Sequence, residues 1–197
     1  MILPLILGIA GFVLFFLYDI NSITTNYRIP KTFFFTGSIL IVSATVLCLI
    51  RAFRLKAFSE VSDIPLLLLG LLSFAALIHS LFFALPFEDT YVSQNNSRRV
   101  YDKGVYALCR HPGVLFFFAS YLFIGLAALP SPLLVCGMVF SFLNFLYVCF
   151  QDLVTFPRTF IDYRDYKNNV PFMIPTLHSF RRMCETRRRI NRKEDSK

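Results

Sequence analysis

The sequence predicts an all-α integral membrane protein of about five transmembrane helices, followed by a cytoplasmic C-terminal amphipathic segment and a basic tail. Three observations predict it. Of 197 residues, 56% are hydrophobic and 24 are Phe, and the mean hydropathy is +0.60, too apolar for a soluble globular domain. Five apolar windows stand out, Ile2 to Tyr18, Thr32 to Ile50, Ile64 to Phe87, Val114 to Leu129 and Leu133 to Phe150, each near the length that a hydrocarbon core requires. The basic residues are also unevenly placed. With an odd number of helices and the N-terminus outside, 17 of the 20 Lys and Arg fall on the cytoplasmic side, and only Arg51, Arg54 and Lys56 fall outside. The positive-inside rule then sets the orientation.

The first window has no basic region ahead of it and no small-residue cleavage site after it, so it reads as a retained helix rather than a signal peptide. Asp19 to Lys31 is polar and ends with Ile29-Pro30, which favours an extended residue and then a fresh helix. It reads as an ordinary loop. Helix two carries Thr36, Gly37, Ser38, Ser43 and Thr45, small residues suited to close helix packing and interhelical hydrogen bonds in lipid. Arg51 to Ser62 is a basic outer loop without assigned chemistry. The third window, long enough to tilt, contains His79, the one ionisable residue placed by the sequence inside an apolar span. Glu88 to Gly104 is the longest internal polar segment, read as either a lid or a plain connector.

Next comes Gly104-Val105-Tyr106-Ala107-Leu108-Cys109-Arg110-His111-Pro112. Pro112 suits the first turn of a helix, where its missing N–H would be unpaired in any case. Windows four and five are joined by Leu129-Pro130-Ser131-Pro132, a turn so short that the two helices must be antiparallel neighbours. That topology returns Arg110, His111, Gln151 and Asp152 to one side of the membrane. On helix five, Asn144, Val148, Gln151 and Asp152 share a face. Asp152 near hydrocarbon needs a partner, and Arg110 is the candidate; a structural ion pair that locks the hairpin explains it equally well. The stretch Phe156 to Pro175 mixes aromatic and charged residues. Tyr163 and Tyr166 lie three apart on a helical face, while Val170-Pro171 and Ile174-Pro175 favour extended turns, so an interfacial amphipathic helix followed by a cap is expected.

The net charge of +8 does not point to nucleic acid, because most of it sits in Arg181-Arg182 and in the run Arg187 to Lys193 after the last helix. There it serves as a topology signal that also meets anionic lipid. The five cysteines show no CxxC spacing, so neither a disulfide framework nor a metal site is expected. Residues 1–180 form one membrane-embedded domain and residues 181–197 a basic cytoplasmic tail.

Taken together, Gly104, Tyr106, Arg110, His111 and Pro112 before the hairpin, and Tyr163, Tyr166, Val170, Pro171, Ile174 and Pro175 after it, resemble two motifs of one family. It is the integral-membrane methyltransferase family that includes isoprenylcysteine carboxyl methyltransferases and phospholipid N-methyltransferases. The resemblance covers roughly the last half of the chain. Gln151-Asp152 stands where that family has two glutamates, Val114 where it often has tyrosine, and Thr159-Phe160 where it has Phe-Gly.

The resemblance implies a single methyltransferase-like domain that uses S-adenosylmethionine to methylate a lipophilic or small acceptor, a carboxylate, amine or thiol, at the cytoplasmic interface. It implies catalytic roles for Arg110 and Asp152. Cofactor contacts are implied for Tyr106, His111, Pro112, Gln151, Tyr163, Tyr166, Val170 and Pro171. Such chemistry asks the protein to align nucleophile and methyl group, to exclude water and to anchor the charged cofactor. Two alternatives stay open. Membrane sterol or fatty-chain reductases share a similar hairpin and use NADPH, and a non-catalytic membrane protein retaining the fold would bind lipid or a partner through its tail.

Overall fold

The computed structural model describes residues 2–84 and 98–194, with side chains to residue 186. It is all-helical, with no strand among the described residues. The helices are α1 (Ile2–Ile23), α2 (Phe33–Arg54, entered through a 3-10 turn at Ile29–Thr32), α3 (Asp63–Ile78), α4 (Val105–Leu108), α5 (Pro112–Ala127), α6 (Leu133–Phe150), α7 (Phe156–Thr159), α8 (Tyr163–Asn169) and α9 (Leu177–Glu194). A π-helical turn extends α3 at His79–Phe83, and another joins α6 to α7 at Gln151–Thr155. Four stretches are long and apolar enough to cross a membrane, namely Ile2–Ile23, Ile29–Arg54, Asp63–Phe83 and Leu133–Thr159. Helix α5 is apolar but has 16 residues, about 24 Å of rise.

The faces of these helices are arranged for lipid. On α1 the exposed side chains Ile2, Ile6, Ile9, Val13, Leu17 and Ile20 recur at intervals of three and four, and α2 and α3 expose similar apolar rows. Large apolar groups left outside while glycines and small polar groups turn inward is the reverse of a soluble protein's economy and suits a hydrocarbon solvent.

The chain falls into two compact units, Met1–Ala75 with Phe116–Thr155, and Ala76–Leu115 with Phe156–Lys197. In the first unit, α1 and α2 cross at a pair of glycines. A Cβ on Gly11 would lie 2.8 Å from the Gly37 carbonyl oxygen, and one on Gly37 would lie 2.7 Å from that of Gly11. Phe140 of α6 fills the space over Gly8 and joins Phe12, Ile41, Ala44, Cys48, Leu133 and Cys136 in the core. Thr45 of α2 hydrogen-bonds Tyr121 of α5, whereas Thr36 and Ser38 bond back to carbonyls of their own helix. Gly37 and Thr45 thus serve interhelical packing, whereas Thr36 and Ser38 satisfy themselves locally. The hairpin predicted at 129–132 is present. Ser131 N–H donates to Ala128 O (2.7 Å), and a Cβ on Gly125 would lie 2.8 Å from the Leu134 Cα, so α5 and α6 nearly touch beside the turn.

In the second unit Tyr163, Tyr166 and Val170 form a buried cluster, with Val100, Phe156 and Phe160 packed on it. Helix α9 begins with a reciprocal cap, Thr176 N–H to Ser179 Oγ (2.9 Å) and Ser179 N–H to Thr176 Oγ1 (3.2 Å), the arrangement that satisfies orphan donors at a helix start. The helix runs from Leu177 to Glu194. Asp19 to Lys31 is only partly a loop, because α1 continues to Ile23 and buries Asp19 and Asn21. Asn21 pins the turn that follows: its Nδ2 donates to Tyr27 O and its Oδ1 accepts from Tyr27 N–H, both at 3.0 Å. The lid or connector expected at Glu88 to Gly104 lies, through Ser97, outside the described residues.

Candidate functional site

Eight of the ten residues singled out by the sequence lie in the second unit, where the two motifs meet. Extended backbone at Cys109 (φ −155°, ψ 159°) carries the chain from α4 to Pro112, the first residue of α5. Across from it, Val170 is also extended (φ −125°, ψ 127°), as the following proline requires. The two stretches pair: Arg110 N–H donates to Pro171 O (2.9 Å) and His111 N–H to Phe172 O (3.2 Å). Arg110 also reaches over the end of α8, where its Nη1 donates to Lys167 O (2.8 Å) and Val170 O (3.0 Å). This is a cation on the carbonyl end of a helix, where both hydrogen bonding and the helix dipole favour it. Its guanidinium carbon lies 5.5 Å from the centroid of the Phe172 ring.

The tyrosines continue the seam. Tyr166 O–H donates to Tyr106 O (2.7 Å), and Tyr106 O–H donates to Ser80 O (2.8 Å) in the π-turn after α3. Tyr163 sits edge-on to Phe156 at 5.5 Å. His111, 7% exposed, lies parallel to Phe156 at 5.9 Å and edge-on to Phe172 at 5.1 Å. Phe156 and Phe172 were not singled out by the sequence. Burial raises the Cys109 thiol to about 11, opposed by a backbone hydrogen bond at His111, so it stays protonated at neutral pH.

Burial likewise raises the Tyr166 phenol above its ordinary 10.0, with Cys109 and Tyr106 nearby acting in the same direction. Removing that hydroxyl in Tyr166→Phe orphans the Tyr106 carbonyl and is expected to cost about 1–2 kcal/mol. Below pH 10 both folded and unfolded phenols hold their protons, and above it the unfolded chain releases its proton first. Wild-type stability therefore falls as pH rises past about 10, and the phenylalanine variant should lose less over the same range. Thermal unfolding of both proteins in detergent at neutral and alkaline pH checks this; parallel losses would contradict it.

Beside Tyr166 lies a cavity of about 410 Å³ whose lining carries both signs of charge, Arg99, Lys103 and Arg182 with Asp102, Asp162 and Asp165. Several of these groups already serve one another. Arg182 Nη2 is 2.7 Å from Asp102 Oδ2, and Asp162 Oδ1 accepts from Val100 N–H at 2.9 Å. Together they hold residues 98–103 against α8 and α9.

Gln151 and Asp152 belong to the first unit, in the π-turn that ends α6. Asp152 is 3% exposed, and so is Asp19 of α1. The Asp19 carboxylate accepts from Thr155 Oγ1 at 3.3 Å, and the side chains of Gln151 and Tyr147 lie close to it. Tyr147, Gln151 and Thr155 are spaced by four, so one edge of α6 and its extension is turned to this carboxylate. His79, by contrast, is exposed, its ring 6.4 Å from that of Phe83. His79 thus stays within an apolar span but on its exposed side, and the carboxylates buried in such spans are Asp19 and Asp152. All five cysteines are free, with Cys48 and Cys136 both buried in the core of the first unit.

No known protein family, no curated protein and no solved structure matches this chain.

Proposed function

We propose that this chain is a membrane methyltransferase that uses S-adenosylmethionine to methylate a lipophilic or small acceptor at the cytoplasmic interface. The observation that carries the reading is the seam of the second unit, in which Arg110 and His111 pair with Pro171 and Phe172 while Tyr166 bonds Tyr106. Two motifs some sixty residues apart in sequence are mutually engaged residue by residue, which is the arrangement the resemblance calls for. Helix α5 is the fifth span in this reading, its short apolar length met by local thinning of the bilayer. In this reading the N-terminus lies outside and the C-terminus in the cytoplasm, supported by the uneven distribution of basic residues.

The chemistry of the donors suits the cofactor. The resemblance assigns Gln151 and Asp152, in the turn that ends α6, to the cofactor's ammonium group. The resemblance also assigns His111 and Tyr163 to the cofactor, and both pack against Phe156 in the second unit. Tyr106, Pro112, Tyr166, Val170 and Pro171 shape and stiffen that region. Arg110 holds the end of α8 and orients the acceptor or the cofactor carboxylate. When bound, the cofactor supplies an electrophilic methyl group, and the protein's contribution is alignment and exclusion of water.

A second reading, a non-catalytic membrane protein that keeps the fold, is favoured by one observation. Arg110 Nη1 and the Tyr166 hydroxyl are both directed at backbone carbonyls, which suffices to explain them as structural. Thermal unfolding of the purified protein in detergent separates the readings. S-adenosylmethionine at about 100 times its dissociation constant should stabilise the fold by about 2.7 kcal/mol. Stabilisation by NADPH alone would mark a reductase, and none by either would favour the non-catalytic protein. Transfer of labelled methyl into a lipid extract then identifies the acceptor class.

A further inference from the structure

Helix α9 has two faces that meet different surroundings. Ser179, Arg182, Met183 and Thr186 share one face and turn it inward: Ser179 is fully buried, Arg182 is paired with Asp102 at 2.7 Å, and Met183 and Thr186 are half-buried. On the other side Leu177 and Phe180, three apart, are 70% and 52% exposed. Ile174, just ahead of the helix, is 78% exposed, and Arg181 next to Phe180 is exposed as well. Large apolar side chains left outward so close together in the chain need a cover.

The place of α9 in the second unit says what that cover is. Asp63–Phe83 is long and apolar enough to cross a membrane, and its last residues, from Ala76 onward, belong to this unit. Tyr106 of α4 donates to Ser80 O in that stretch at 2.8 Å, and α9 packs on α4. Helix α4 is thus the link that holds α9 near the end of a span. Leu81, Phe82 and Phe83 at that end are exposed too, so the unit carries outward apolar groups both on the span and on α9. The charge selects the kind of lipid. From Leu177 to Lys197 the sequence has eight Lys and Arg against three Asp and Glu. Exposed apolar side chains on a strongly cationic helix suit a position in the plane of an anionic bilayer surface, the apolar groups about 5–10 Å into the boundary of headgroup and acyl chain.

We infer that α9 is an interfacial anchor: Ile174, Leu177 and Phe180 insert into the surface of the bilayer that holds the spans, and the cationic charge of the helix, Arg181 included, meets anionic headgroups. The methyltransferase reading is not needed for it. Arg182, on the inward face, holds Asp102 and with it the segment that leads to α4, so a helix seated on lipid also steadies the approach to Arg110.

The chain has no Trp, so Phe180→Trp places a single fluorophore on the exposed face of the full chain. The variant is reconstituted into nanodiscs of phosphatidylcholine, with or without phosphatidylglycerol, whose acyl chains are brominated either just below the headgroup or near the methyl end. The expected result is blue-shifted emission that shallow bromines quench at least about twofold more than deep ones, as an interfacial depth requires. Shallow quenching should be stronger with phosphatidylglycerol, and salt should remove that excess. Leu177→Trp should behave in the same way, and it decides the matter if Phe180→Trp fails to fold. Unquenched emission at the wavelength of Trp in water would overturn the inference. Blue-shifted emission that neither bromine quenches would overturn it in favour of a protein cover, a second copy of the chain included. Quenching greatest for deep bromines would overturn the interfacial position, and equal shallow quenching with and without phosphatidylglycerol would overturn the choice of anionic lipid.

Discussion

Arg110→Ala is expected to destabilise the second unit by about 3 kcal/mol, the scale of two charge-assisted hydrogen bonds lost together. The side chain is partly buried, and its removal leaves the Lys167 and Val170 carbonyls at the end of α8 without their shared donor. The contact with the Phe172 ring goes too. Arg110→Lys should recover only part of the loss, because an ammonium lacks the planar fork and its stacking face. The measurement is the thermal unfolding midpoint of the three proteins in one detergent. An alanine variant as stable as wild type would remove Arg110 from the seam and weaken the fold-based support for the proposed function.

Gly37→Leu should be costlier for the first unit, by about 3 kcal/mol or more, the upper part of the range for overpacking. The obstacle to a side chain there is partly the Gly11 carbonyl oxygen, 2.7 Å from the Cβ position. Backbone cannot rotate aside as a flexible side chain can, so α1 and α2 must separate. Separation would disturb Phe15, which also lies within 2.9 Å of that Cβ position, and the core around Phe12 and Ile41. Gly11→Ala should show a smaller loss of the same kind. Unfolding midpoints and protease sensitivity of the α1–α2 region check both, and a leucine variant with wild-type stability would show that the helices do not meet there.

The helices were largely legible in the sequence because apolar length is a local property. The four long stretches follow from runs of Leu, Ile, Val and Phe, and the α5–α6 hairpin from the brevity of Leu129 to Pro132. The end of α1 was not legible. Asp19 and Asn21 are polar, and local propensity reads polar residues after an apolar run as loop; Asp19 instead finds Thr155 from the extension of α6, and Asn21 is satisfied by the turn that follows it. His79 was misjudged for the complementary reason. Position in an apolar window says that a residue is in a span but not which way it faces, and His79 faces outward.

By itself the sequence determined the membrane class, the helical composition, the hairpin and the two motifs, because each depends on residues adjacent in the chain. Only the tertiary structure decided that Arg110 holds the C-terminal end of α8, that Tyr166 reaches the Tyr106 carbonyl, and that Thr155 donates to Asp19 of the first helix. The physical reason is the same in each case. A polar group in an apolar surrounding must find a partner, and the identity of that partner is set by which helices pack together.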